Sequence, residues 1–269
     1  MCKALKLNRS TYYYRAKPIK VDTELENAII HEFNLSRKIY GTRKLKEQLS
    51  KKQNGHPAVR VSKRRIGRIM AKYSLVSKYT LKNRKGCVNN VVNNDPVPNL
   101  VERQFSDREP LEVVVSDLTY IKCAKRWHYI CLLLDLHDRK IIGSAIGRIK
   151  GAKLVKTAFH SVQEDLRKIG VFHTDRGSEF KNRIVDEILE AFGIARSLSA
   201  KGTPIDNSVA EAMYHIVKTE FAFGEDFADY DELCLKWFDY VNWYNNVRIH
   251  GSLDYLTPAE FKRNAAGRK

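Results

Sequence analysis

The sequence predicts a mixed α/β domain preceded by a small all-helical region. Strand-like runs over 111–147 follow one another like an antiparallel meander, and helical and strand-like segments then alternate from 151 to 199. Helical spacing without strands occupies the first 85 residues. The organisation expected is a basic helical region over 1–85, a linker over 86–104, a core over 105–222 and a helical extension of that core over 223–269.

Each element has a local reason. Ser10 or Thr11 can cap a short helix carrying Tyr12, Tyr13 and Tyr14. Leu25, Ile29, Ile30 and Phe33 keep helical spacing after Asp22, a second helix runs from Thr42 through Leu45 and Leu49, and Gly55 and Pro57 break the pattern. A third helix starts at Ser62 as N-cap, with Ile66, Ile69 and Met70 inward and Lys63, Arg64, Arg65 and Arg68 on the remaining arc. The Asn- and Pro-rich stretch after Gly86 has no period and reads as the linker. Leu111–Ile121, His128–Leu136 and Lys140–Gly147 are rich in Val, Ile, Leu and Tyr, as strands are. Helices are expected over Gly151–Ile169, Asn182–Phe192, Asp206–Phe221 and Asp231–Asn245, with short strands at Val171–His173 and Ile194–Ser199.

The 269 residues carry a net charge of +17, and its placement is uneven. Residues 1–100 hold 23 Lys and Arg against 6 Asp and Glu, while the remainder is balanced at 25 against 25. A basic region joined to a near-neutral module predicts grip on a polyanion that weakens as salt rises, the alternative being a solvated cationic face. The core is expected to fold without residues 1–85. Five cysteines without a Cys-x-x-Cys pair exclude a disulfide framework and a zinc knuckle, and fit a reducing cytoplasm. No run of about 18 apolar residues is present, so no membrane partner is expected.

Asp117, Asp175 and Glu211 are the candidate catalytic and metal-ligating residues. Asp117 ends the apolar run Val113-Val114-Val115, Asp175 follows Val171-Phe172-His173, and Glu211 sits on a helix with thirty-five residues between it and Asp175. Converging carboxylates cannot all ionise without a cation, and hard oxygen ligands point to Mg²⁺ or Mn²⁺. Gly177 permits a sharp turn after Asp175, Ser178 can cap the next helix, and Glu179 falls at that helix start. Asp135 could support the site from behind, whereas Asp138 looks like turn chemistry. On a helical wheel His215 and Lys218 share the face of Glu211, and with Lys201 they join Lys63, Arg64, Arg65 and Arg68 as candidate DNA contacts. Arg248 and His250 could also reach DNA. The aromatic run Trp237–Tyr244 reads mainly as core, with base stacking open to any exposed ring. Glu220 falls on the apolar arc of its helix without a local reason.

Four ordered blocks then carry a resemblance over nearly the whole chain. They are Ser116-Asp117-Leu118-Thr119-Tyr120, His173-Thr174-Asp175-Arg176-Gly177-Ser178, the run Lys201–Glu211 with its Gly-Thr-Pro-Ile-Asp-Asn, and Tyr240–Pro258 with Trp-Tyr-Asn-Asn-x-Arg-x-His. Together they resemble the DDE transposases, specifically the second-frame (OrfB) product of the insertion-sequence-three family, related in its core to retroviral integrases. That resemblance implies an RNase H-like integrase catalytic core, a helix-turn-helix-type N-terminal region, and Asp117, Asp175 and Glu211 as ligands of two Mg²⁺ ions. It implies DNA strand cleavage and strand transfer in transposition and integration of a mobile element. The expected partners are the element's terminal inverted repeats, target DNA, further copies of the chain and an upstream-frame product, in a bacterial, nucleoid-associated cytoplasm. A catalytically silent DNA-binding protein and a structure-selective nuclease of the same fold are the alternatives. Ala212-Met213-Tyr214 departs from the Ser and paired Phe that many relatives carry, and the His/Cys zinc module of retroviral integrases has no counterpart here.

Overall fold

A run from Val113 to Cys123, opening on three buried valines and alternating buried and exposed only from Thr119, forms the first and longest strand of a five-stranded sheet. The computed structural model describes residues 2–15, 22–51, 58–81, 97–200 and 204–266. Gly55, Pro57, Lys201 and most of the expected linker lie outside the described residues.

Strand β1 (Val113–Cys123) pairs antiparallel with β2 (Arg126–Asp135), and β2 with β3 (Ile141–Gly147). On its other side β1 runs parallel to β4 (Val171–Thr174), which pairs in parallel with β5 (Ala195–Leu198). The order β3-β2-β1-β4-β5 is the expected meander extended by two parallel strands. The long helix expected over Gly151–Ile169 is shorter, Ala152–His160, with a separate 3₁₀ turn at Leu166–Lys168.

Among the described residues five helices precede the sheet: α1 (Arg9–Tyr13), α2 (Thr23–Leu35), α3 (Thr42–Ser50), α4 (Lys63–Lys72) and α5 (Lys78–Leu81). Helix α2 is capped by Asp22, which accepts from the Leu25 amide at 3.2 Å, and α4 by Ser62, which accepts from Arg65 at 3.3 Å. Ile66, Ile69 and Met70 are buried as the periodicity predicts. Five more described helices follow β3: α6 (Ala152–His160), α7 (Arg183–Phe192), α8 (Ser208–Val217), α9 (Tyr230–Asn246) and α10 (Pro258–Ala266). The N-cap of α7 is Asn182, not Ser178.

Alternation along the strands divides the core between two faces. Val114, Cys131 and Leu133 pack with Val155 and Phe159 of α6 and Val185 and Leu189 of α7. Gly143 allows that contact, since a Cβ there would stand 2.6 Å from the Ala158 carbonyl oxygen. Val113, Val115, Leu132 and Leu134 face α8 and α9, in a cluster that continues into Ile29, Phe33, Leu45 and Ile66 of the helical region. Trp243 donates to the Leu35 carbonyl at 3.1 Å, and Tyr40 accepts from the Ile249 amide at 2.8 Å. The helical region and the core thus share one apolar cluster, with Arg37 standing over the Tyr240 and Trp243 rings.

Glu220 now has its reason. It sits in a π-helical turn, Lys218–Ala222, that follows α8 and carries the carboxylate into the interior. Arg248 meets it with contacts of 2.8–3.1 Å from Nε and Nη2, and Tyr79 (2.6 Å) and Tyr240 (3.2 Å) donate their hydroxyls. Arg248 and His250 are therefore buried, and neither reaches a DNA surface. Trp237, Tyr240, Trp243 and Tyr244 are core as expected, while Phe238 is exposed. Among the described residues no helix is long and apolar enough to cross a membrane.

Arg248→Met leaves Glu220 buried without its cation and is expected to destabilise the protein by about 3–5 kcal/mol in urea unfolding. Adding Glu220→Met should recover a large part of that loss, because the orphaned charge goes with it. A double variant as unstable as the sum of the two singles would show that packing, not charge, dominates.

Candidate active site

The parallel pairing of β1 and β4 sets Val115 opposite His173, and each chain carries an acid two residues further on. Asp117 and Asp175 thus each follow the paired stretch by two residues, and the Asp175 charge acts on Asp117. Asp117 does not end its strand. It lies inside β1, opposite Leu132 of β2, at the point where β4 stops and β1 runs on. Asp175 begins the turn after β4, with Oδ1 accepting from the Gly177 amide at 2.9 Å.

Helix α8 brings Glu211 over the same edge. Ala210, Met213, Tyr214 and Val217 are buried against the sheet, whereas Glu211 and His215 are exposed and Lys218 half-buried. The Tyr214 hydroxyl donates to the Asp117 carbonyl oxygen and accepts from the Leu132 amide at 3.3 Å, so it bridges the facing pair in the β1–β2 ladder. Tyr214 is three residues from Glu211, so this anchor fixes the helix one turn from the acid. The lead into α8 is held by Asp206, which takes Arg103 at 2.7 Å and the Ala200 amide at 2.9 Å, while its carbonyl meets the buried His173 ring at 3.0 Å.

Electrostatically the acids act on one another. Burial pushes the Asp117 carboxyl up to about 7, and the charges of Asp175, Glu179 and Glu211 add to that rise against the Leu118 amide, which lowers it. Asp175 is raised by burial and by Glu179, with the Gly177 amide and Lys150 opposing. Glu211 is raised by burial and by Asp175. Among the described residues no three His, Cys, Asp or Glu side chains stand close enough to hold one ion jointly. The oxygen-only donor set of Asp117, Asp175 and Glu211 suits a hard divalent cation.

Glu179 differs from the helix-start role expected for it. It lies in a turn, buried, with Lys150 at 2.7 Å, and belongs to the same electrostatic cluster. Gly177 makes room for it, because a Cβ there would stand 2.7 Å from the Glu179 carboxylate. Sequence reasoning missed Lys150 and Tyr214; the Gly-x-Glu spacing after Asp175 is the one signal that could have found Glu179. Asp135 is not behind the site: it pairs with Val114, away from Asp117, and accepts from the Leu111 and His137 amides at 3.0 Å. Asp138 accepts from the Lys140 amide at 2.9 Å, as turn chemistry predicts. Lys63, Arg64, Arg65 and Arg68 are exposed on α4, with Arg65 paired to Asp22 at 2.9 Å.

Because the folded carboxyl of Asp117 keeps its proton to higher pH than the unfolded one, ionising it weakens the fold. The effect is absent below about pH 3.8, grows as pH rises and is complete above about 7. Asp117→Asn is expected to be more stable than the parent by about 1–2 kcal/mol near pH 8 and indistinguishable near pH 4, read by urea unfolding. An equal difference at both pH values would remove the charge argument.

Known families match three parts of the chain: an HTH-like domain over residues 20–83, and integrase core domains over 107–204 and 211–265. The transposase for insertion sequence element IS904 of Lactococcus lactis is 29% identical over 239 residues, 82% of this chain and 92% of that protein. Transposase InsF for insertion sequence IS3A of Escherichia coli K12 is 27% identical, over 97% of this chain and 92% of its own length. The InsK protein of IS150 from the same organism is 28% identical over 97% and 92%. Full-length similarity to these proteins, the ordered helix-turn-helix-like and integrase core matches and the mixed five-stranded sheet agree: the chain belongs to the DDE transposases of the insertion-sequence-three family.

Proposed function

We propose that this transposase cuts DNA at the ends of its own mobile element and joins the freed 3′-hydroxyl to another strand, with Asp117, Asp175 and Glu211 as the catalytic carboxylates. What supports the reading is the electrostatic coupling of these acids around one sheet edge: burial raises all three pKa values, and the Asp175 charge acts on both Asp117 and Glu211. Asp117, Asp175 and Glu211 would hold Mg²⁺ or Mn²⁺, two ions in the fullest form. Such ions supply Lewis-acid stabilisation of the leaving 3′-oxygen and lower the pKa of the attacking water or hydroxyl.

The chain's own residues supply position. Asp117 is fixed by the β1–β2 ladder, Asp175 by the Gly177 amide, and Glu211 by the Tyr214 anchor. His215 and Lys218 follow Glu211 along α8 and suit a phosphate backbone. Lys63, Arg64, Arg65 and Arg68 form a separate cationic face for the element ends, and Lys201 adjoins the lead into α8 in sequence. Bringing two element ends together calls for more than one copy of the chain. An upstream-frame product as further partner, and action at the nucleoid in the bacterial cytoplasm, rest on the family resemblance alone.

Asp175→Asn is expected to reduce strand cleavage and joining to below roughly one-thousandth while leaving end-binding within about two-fold. Retained joining would sink the assignment. Hydrolysis without joining in the parent protein would favour a nuclease, and tight end-binding with no nick under any divalent ion a silent DNA-binding protein. For Tyr214→Phe we expect cleavage roughly ten-fold slower at limiting Mg²⁺, recovering as Mg²⁺ is raised, since an outer anchor acts through its ligand. A loss unchanged by Mg²⁺ would mean that Tyr214 serves only packing.

A further inference from the structure

Past Asp117 the β1–β2 ribbon projects beyond β4, and its outer part carries two exposed aromatic rings. Tyr120 pairs with Tyr129 and Lys122 with Trp127, which makes Tyr120 and Trp127 diagonal neighbours on one face. Their rings meet edge to face with centroids 5.1 Å apart, yet Tyr120 stays 45% exposed and Trp127 55%. The Lys218 ammonium lies 4.5 Å from the Tyr120 ring centroid. Alternation along β1 turns Tyr120 to the face opposite Asp117, and Lys218, two helical turns or about 10 Å beyond Glu211, is the residue that joins the rings to the helix carrying the acid.

We propose that Tyr120 and Trp127 form a stacking platform for an unpaired DNA base on the strand next to the scissile phosphate, with Lys122 and Lys218 holding the adjoining phosphates. The location beside the acids rests on the transposase reading; the chemistry of the platform stands by itself. Exposed aromatic faces flanked by cations are the elements from which single-strand sites are built, since every base offers a π-face. A second copy of the chain is the competing occupant for exposed aromatics. A two-fold pairing of this patch would set Lys122, Lys125, Arg126 and Lys218 against their own copies, and like charges oppose that contact.

The protein's tryptophans make the idea measurable. Trp237 is 0% exposed and Trp243 6%, so a DNA-induced change in tryptophan emission reports on Trp127. The full-length chain, in buffer with EDTA to prevent chemistry, is titrated with a labelled blunt duplex and with the same duplex bearing a single-stranded tail. Emission and anisotropy are both recorded. Saturable quenching by the tailed duplex is expected, and Trp127→Ala should weaken its binding roughly five- to fifty-fold while blunt duplex changes by less than about two-fold. Abasic sites in the tail should reproduce that loss with the parent protein, and Trp127→Tyr should restore most of the affinity. Equal quenching by blunt and tailed DNA, an abasic tail bound as well as an intact one, or unchanged affinity in Trp127→Ala would overturn the proposal. So would a Trp127→Ala protein that sediments as a smaller species with unaltered DNA binding, which would assign the patch to a second copy. Because no catalysis is read, tail binding can succeed where the Asp175→Asn test fails, and the reverse.

Discussion

The buried pairing of Glu220 with Arg248 is the constraint on which the arrangement of the molecule depends. With side-chain exposures of 0% and 5%, the pair has no water to fall back on. An isolated charge in that place would be prohibitive, so its partners must all be in position together. Tyr79 comes from α5, Glu220 from the end of α8, Tyr240 from α9 and Arg248 from the segment after it. Lys44 of α3 borders the same network, and burial together with Arg248 draws its ammonium down to about 7. One polar knot thereby fixes the helical region, the helix of Glu211 and the C-terminal helices in a single frame.

Charge is distributed so that the acids and the cations do not neutralise one another. The excess of positive charge belongs to the first hundred residues, while Asp117, Asp175, Glu179 and Glu211 lie around the sheet edge, where Lys150 pairs with Glu179. A polyanion drawn to α4 lowers its free energy by releasing counterions, a gain that does not depend on reaching the acids. On the proposed assignment, binding and chemistry respond to different variables, the first to salt and the second to divalent ion.

Sequence reading succeeded where one residue type and its immediate neighbours carry the cause. Ser62 caps α4 because its side chain and the amide three residues on belong to one turn, and Ile66, Ile69 and Met70 are buried because 3.6-residue spacing puts them on one stripe. Asp117 and Asp175 were visible as carboxylates beside apolar runs, and the β1–β4 register brings them abreast. Periodicity failed where the cause is a distant partner. It placed Glu220 on an apolar arc correctly, but Arg248, twenty-eight residues away, gives no periodic sign that it closes the pair. For the same reason Arg248 and His250 looked like surface cations, Asp135 looked like support for the site, and the hydroxyl of Tyr214 looked like ordinary packing.

Asp117 lies within a strand that continues for six residues beyond it, whereas Asp175 opens a turn and Glu211 rides on a helix. The three acids therefore differ in compliance. Backbone hydrogen bonds to β2 hold Asp117 on both sides, so adjusting it would mean breaking ladder bonds, while Asp175 can move by turn rotation and Glu211 by a change of rotamer. On the assignment proposed above, one stiff jaw and two yielding ones would form a vice able to close on phosphates of slightly different shape, as water and a DNA hydroxyl present in turn, without losing its reference point.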